Sequence, residues 1–279
     1  MIRLDIHALQ DFLGREEVRN DTVRQAALHQ FRDTLEDHLV SDAVSVVPPG
    51  FHWTLFQPMV PTSELGPDGH PKSLGLLPEL PEFSRMWAGG EVSFHAPLEV
   101  GADVERRTRV ESITEKAGSS GRLLFVSLRH EISAGGQLAI SETQTLVYRP
   151  IVRSSASHIL PAQSTANADF VADSRLLFRY SALTFNTHRI HYDREYARSE
   201  EGYPELVVHG PLQATLLMNC VAAKLGTGLF SFSYRGTAPL HAGEPAFIRI
   251  AGESAGEVSV QRVSGGVTMQ ARFFDREGE

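Results

Sequence analysis

From Leu212 to Leu225 the chain carries apolar residues on nearly every side of a helix: Leu212, Leu216, Leu217, Met218, Val221, Ala222 and Leu225. A helix without a polar face must be enclosed rather than laid on a surface. The surrounding chain is rich in short alternating segments, the pattern of a sheet with one buried face, so the sequence predicts a sheet curled around one central helix. Gly210-Pro211 reads as the cap and first helical position, because proline has a preset φ and no amide hydrogen to lose. The amides of Gly210 and Leu212 are then left unpaired at the positive end of the helix dipole. Such a place holds an oxyanion well.

Just upstream, Asn186, His188, Arg189, His191, Tyr192 and Asp193 fall within eight residues. Each alone is more often structural than catalytic, but together, ahead of a buried helix with free amides, they mark a site.

The run Tyr180-Ser-Ala-Leu-Thr-Phe-Asn186-Thr-His188-Arg189-Ile190-His191, followed later by Val208-His209-Gly210, resembles the signature of the MaoC-like, R-specific enoyl-CoA hydratases and dehydratases. The resemblance implies an α+β double hotdog: two antiparallel curved sheets, each wrapping a central helix. In that family an Asp and a His act on water and a Gly amide binds the thioester oxygen. Laid on this sequence, His191 is the His, Gly210 is the Gly, and Asn186 stands where the family usually has Asp. The form Phe-Asn-x-His-Arg-Ile-His-Tyr-Asp is similar to a branch of two-hotdog hydratases of itaconyl-CoA or mesaconyl-CoA and mitochondrial-type 3-hydroxyacyl-thioester dehydratases. Addition of water to a short branched dicarboxylyl-CoA, giving citramalyl-CoA, is the activity this implies. A 3-hydroxyacyl carrier-protein dehydratase is the alternative, and a hotdog that binds acyl thioesters without turnover is a third reading. A homodimer follows from family habit.

The chemistry constrains the roles. Hydration of an unsaturated thioester needs a base for water, donors for the enolate-like oxygen and a proton for the α-carbon. His191 is the natural base, Gly210 the oxyanion donor with Leu212 as a second, and Asn186 a holder of the water, since an amide cannot exchange a proton. Asp193 or Glu201 could replace the missing acid, although Asp193 also reads as the N-cap of a helix through Tyr196. Arg189 pairs either with a substrate's second carboxylate or with backbone carbonyls and Asp193. Tyr180, Tyr192 and Tyr203 are candidates to line the pocket or to pack, and Arg85, Met86 and Trp87 to lie beside the bound CoA or in a strand. His188, His191, His209 and Asp193 could suggest a metal, but no zinc-like framework surrounds them, and neither metal nor separate cofactor is expected.

The second half repeats landmarks of the first. Ala96-Pro97-Leu98-x-x-Gly101 recurs as Ala238-Pro239-Leu240-x-x-Gly243, and Gly135-Gly136 recurs as Gly265-Gly266. Two landmarks in one order favour duplication. The expected division is a first hotdog over 1–150 that shapes the pocket, a Ser/Ala/Pro-rich linker over 151–168 and a catalytic hotdog over 169–279. Glu16 to Asp37 reads as one or two amphipathic helices, and Phe51, Trp53, Leu55 and Phe56 as a short buried helix. The GPDGHP segment reads as loop, of the kind that forms lids or binding loops.

Composition narrows the partners. A net charge of −8 argues against nucleic acid, no apolar run is long enough to span a bilayer, and no secretory leader is evident, so a cytoplasmic protein is expected. The single cysteine, Cys220, cannot close an internal disulfide and reads as a small filler within the helix.

Overall fold

The computed structural model describes residues 9–39, 47–73, 75–77, 80, 83–118, 121–150 and 168–276. The segment read as a linker lies, but for residue 168, outside the described residues. The first half contributes β1 (Glu16–Thr22), α1 (Gln25–Leu35), β2 (Phe83–Phe94), β3 (Asp103–Gly118), β4 (Gly121–Ala134) and β5 (Gln137–Pro150). The second contributes β6 (Phe170–Val171), α2 (Ser174–Thr184), α3 (Arg194–Ser199), α4 (Gly210–Leu225), β7 (Phe230–Gly236), β8 (Pro245–Gly252), β9 (Ala255–Arg262) and β10 (Val267–Asp275).

These strands form one antiparallel sheet in the order β1-β3-β4-β5-β2-β7-β10-β9-β8-β6. Counted inward from either edge, the strands of each half occupy equivalent places, and the halves join where β2 pairs with β7 from Gly89↔Arg235 to Ser93↔Ser231. The Ala-Pro-Leu landmarks follow β2 and β7, and the Gly-Gly pairs turn β4 into β5 and β9 into β10. All four of those turn glycines have positive φ, a conformation that favours glycine at both turns.

The predicted central helix is α4, whose Leu212, Leu216, Leu217, Met218 and Val221 are fully buried. It starts one residue differently from expectation: His209 is the N-cap, and Gly210 and Pro211 are the first two helical positions. Gly226, with φ 72°, ends it. The first half reaches across to this helix, where Asn219 Nδ2 donates to Pro49 O at 2.9 Å. Gly50 lies so near that a Cβ there would sit 2.5 Å from Thr215 Oγ1.

Two expectations for the first half change. Glu16 to Thr22 is an edge strand paired with β3, Glu16 opposite Arg109 and Thr22 opposite Asp103, and Val18 is 45% exposed. Gln25–Leu35 is α-helical, with Leu28, Phe31 and Leu35 buried, and a 3-10 turn, Glu36–His38, follows it. Pairing to a neighbour overrides a weak helical period in so short a segment. The buried element at Phe51 is a single 3-10 turn, Phe51–Thr54, whose Phe51 meets Phe31 edge-to-face at 5.5 Å.

Candidate active site

The motif residues are fixed by a series of local turns. Asp173 caps α2, accepting from the amides of Arg175 and Leu176. The helix ends at Phe185 in the left-handed region. Asn186 then bends the chain: its amide donates to Ser181 O at 2.8 Å, and its Oδ1 accepts the His188 amide at 2.9 Å. A 3-10 turn, Arg189–His191, leads to α3, whose N-cap Asp193 accepts the Tyr196 amide at 3.0 Å. The helix-cap reading of Asp193 is the observed one.

His191 is 8% exposed, and its Nδ1 lies 2.7 Å from Val207 O. A carbonyl only accepts, so Nδ1 carries the hydrogen and Nε2 keeps its lone pair. The ring stacks on His209 at 3.7 Å between centroids. His209 in turn has Nε2 2.9 Å from Ser181 Oγ. Because His209 immediately precedes Gly210, this stack brings His191 beside the first turn of α4. Burial, then the charges of His209 and His188, holds His191 well below the usual histidine range, and burial holds His209 at about 3. Both rings are therefore neutral near pH 7.

Gly210 is required by its neighbour. A Cβ there would stand 2.6 Å from Trp87 Cε3, so the indole covers the start of the helix. Trp87 stacks on Tyr234 at 4.7 Å and meets Trp53 edge-to-face at 5.7 Å. Both partners are tied to buried Glu142, whose Oε1 accepts from Trp53 Nε1 at 2.9 Å and Tyr234 OH at 3.1 Å. Burial opposes ionisation of Glu142, but hydrogen bonding and the charge of His52 outweigh it and hold its pKa at about 2.

The other predicted residues divide. Arg85 lines a cavity of about 800 Å³ together with His70, Tyr148, Arg189, Tyr196 and Glu201. That volume lies in the range of small-molecule sites. Arg189 is bound on three sides: Nε and Nη2 donate to Asp193 Oδ2 at 3.1 and 2.7 Å, and Nη1 donates to Pro67 O at 3.0 Å. Tyr180, expected at the pocket, is instead a core residue, 1% exposed, with its hydroxyl 3.4 Å from Thr215 Oγ1. Tyr192 is exposed and donates to Thr187 O at 3.0 Å. The Leu212 side chain is wholly in the core, so only its amide belongs to the helix start.

Sequence reasoning missed what the GPDGHP loop does. Asp68 holds His70 with both oxygens, Oδ2 2.8 Å from Nδ1 and Oδ1 3.0 Å from the amide. From His70 at the cavity the rings run inward: His188 at 4.2 Å, His191 5.5 Å from His188, and His209. Burial, then the charge of His188, lowers His70 to about 3. Ligating atoms of Asp68, His70 and His188 lie within 4.8 Å of one another. The His70 and His188 rings are tilted by 35° to one another, and Asp68 already bonds His70. The only sequence signal was an Asp-Gly-His step inside a Pro/Gly loop.

The family model for hydroxyacyl-thioester dehydratase type 2 matches residues 50–242, more than half of the chain. The chain belongs to this family. Among its relatives, mesaconyl-C(4)-CoA hydratase of Chloroflexus aurantiacus is 42% identical over 234 residues, covering 82% of this chain and 84% of that protein. The crystal structure of HtdX of Mycobacterium tuberculosis superposes with a TM-score of 0.72 at 18% identity, covering 94% of this chain and all of that one. A second Mycobacterium tuberculosis structure, described as a double hotdog, gives 0.58 at 13% identity over 94% of this chain and 95% of that one. The chain is thus a double hotdog enzyme of the hydratase and dehydratase class, with the distinction that, among the described residues, its first half presents a 3-10 turn where the second has α4.

Proposed function

We propose that the chain adds water to the double bond of a short branched dicarboxylyl-CoA, mesaconyl-CoA or itaconyl-CoA, to give citramalyl-CoA. The observation that carries this is His191: its Nδ1–H is held by Val207 O, which leaves Nε2 its lone pair, and its ring stacks on His209, the residue before Gly210. The His191 Nε2 takes a proton from water, oxygen bonds to the β-carbon, and the π electrons move onto the thioester oxygen at the Gly210 amide. The imidazolium then returns its proton to the α-carbon. One oxyanion donor of this kind is worth roughly 3 kcal/mol.

The dicarboxylyl substrate is supported by the relative that acts on mesaconyl-C(4)-CoA and by Arg85. Among the described residues Arg85 makes no ion pair, whereas Arg189 is neutralised by Asp193. We therefore assign the substrate's second carboxylate to Arg85 rather than Arg189. In this reading residues 1–150 shape the pocket and 169–279 carry the base and the oxyanion donor, and the assembly is a cytoplasmic homodimer, which sedimentation and fractionation would check.

The family's description favours a second reading, dehydration of a 3-hydroxyacyl thioester. Turnover of mesaconyl-CoA, crotonyl-CoA and a 3-hydroxyacyl carrier protein, measured side by side, separates them. Mesaconyl-CoA is expected to be hydrated fastest. Preference for the carrier-protein substrate would replace the first reading by the second, and turnover of none would leave a binding protein.

A further inference from the structure

We propose that His70, held by Asp68, is a second catalytic imidazole, which accepts the hydrogen of the attacking water that stays on the oxygen. This rests on the hydration reading and adds a residue from the first half of the chain to it. A water delivered to a β-carbon has two hydrogens to place while a lone pair faces the carbon. His191 Nε2 removes one. Asn186 offers the other only one amide lone pair, because its Oδ1 already takes the His188 amide hydrogen and its NH₂ only donates.

His70 meets the requirement by construction. Asp68 Oδ2 fixes the hydrogen on Nδ1, which leaves Nε2 as an acceptor, and Asp68 Oδ1 holds the backbone of the same residue. His191 is put in the same tautomer by Val207 O. A carboxylate that orients an imidazole is a recurrent unit of acid–base catalysis. The loop is fastened to the motif itself: the Arg189 amide donates to Asp68 O at 2.9 Å, Arg189 Nη1 to Pro67 O at 3.0 Å, and Thr187 Oγ1 to Gly69 O. Gly69, with φ 91°, lies so close to Thr187 O that no side chain fits. The ring lines the cavity and packs at a tilt of 35° against His188, whose ring meets His191.

The proton account stays balanced. The proton leaves water for His191, the oxygen–carbon bond forms, the π pair moves to the thioester oxygen, and His191 returns the proton to the α-carbon. His70 begins and ends neutral.

The test is steady-state kinetics of His70→Ala, His70→Gln, Asp68→Asn and the double variant His70→Ala/Asp68→Asn, on whichever thioester the wild type turns over fastest, with melting temperatures alongside. An oriented acid–base contact is worth about 100-fold, so His70→Ala should lower kcat by about that factor with KM within about threefold. His70→Gln keeps an acceptor oxygen and should recover about tenfold of the loss. Asp68→Asn should resemble His70→Ala, and the double variant should be no worse than either, since paired groups act as a unit. Nitrogen-15 spectra of labelled histidine should show the Nδ1–H tautomer of His70, lost in Asp68→Asn. Wild-type kcat in His70→Ala, additive losses in the double variant, or activity abolished by chelation and restored by zinc would each overturn the proposal. If no thioester is turned over, the hydration reading and this proposal fall together; wild-type kcat in His70→Ala removes this proposal alone.

Discussion

The two halves of the chain lay five strands in the same order, yet enclose different things. The second half encloses α4, sixteen residues long and apolar on all sides. Among the described residues the first half has the turn Phe51–Thr54 at the matching place, and its inward face carries Glu142, His130 and Thr108, all buried. The same strand order therefore does not fix the contents of the curl. The half with the long helix supplies a helix terminus and the candidate base, His191, beside it. The half without one supplies the indole that covers that terminus and the loop that reaches the motif.

The largest effect is expected where the halves meet the chemistry. His191→Ala should lower kcat about 1000-fold with the fold intact, measured as turnover together with circular dichroism. Gly210→Ala sharpens the comparison, since its methyl must displace Trp87 of the first half. A loss of about 100-fold is expected, and pairing it with Trp87→Leu should restore part of it. An unchanged rate in Gly210→Ala would mean that the indole and the helix start are not coupled.

Next comes the polar interior of the first half. Glu142→Leu leaves the Trp53 N–H and Tyr234 O–H without their acceptor and should cost about 3 kcal/mol in urea unfolding. Leu216→Ala, in the apolar interior of the second half, should cost about 3 kcal/mol by leaving a cavity. The origins differ, and acid separates them. Folding holds His209 at about 3 and His130 at about 4, below the ordinary histidine value, in each case mainly through burial. Between pH 6.5 and about 4 the unfolded chain binds more protons than the folded one, so stability should fall as acid is added and be flat above pH 7. His130→Gln should make the slope shallower. The smallest effect is expected at Arg189: Arg189→Ala should raise KM for mesaconyl-CoA less than threefold, against about tenfold for Arg85→Ala, because among the described residues Arg189 has a carboxylate partner and Arg85 has none. Equal effects would return the substrate's carboxylate to Arg189.

How much was legible in sequence follows the range of the interactions. α4 was readable because fourteen consecutive residues from Leu212 to Leu225 leave no polar face. His191 and Gly210 were readable as candidates because a compact motif carries them. Asp193 as a cap was readable because capping is local. β1 was not, since its partner β3 lies some ninety residues away and decides its conformation. Asp68 and His70 looked like loop and are loop; their meeting with Thr187 and Arg189 depends on docking across more than a hundred residues, which no local pattern encodes. Glu142 carried no signal, because one acid in a strand reads as surface until its donors are known.

Because β2 and β7 meet at the centre of the sheet, its two rims among the described residues are β1 and β6. β6 is two residues long, and β1 reads Glu-Glu-Val-Arg-Asn-Asp-Thr, four of its seven side chains acidic or basic. A rim so short on one side and so charged on the other offers a poor template for strand-by-strand growth. The fold thus guards a long sheet against fibre formation at the two places where such growth would begin.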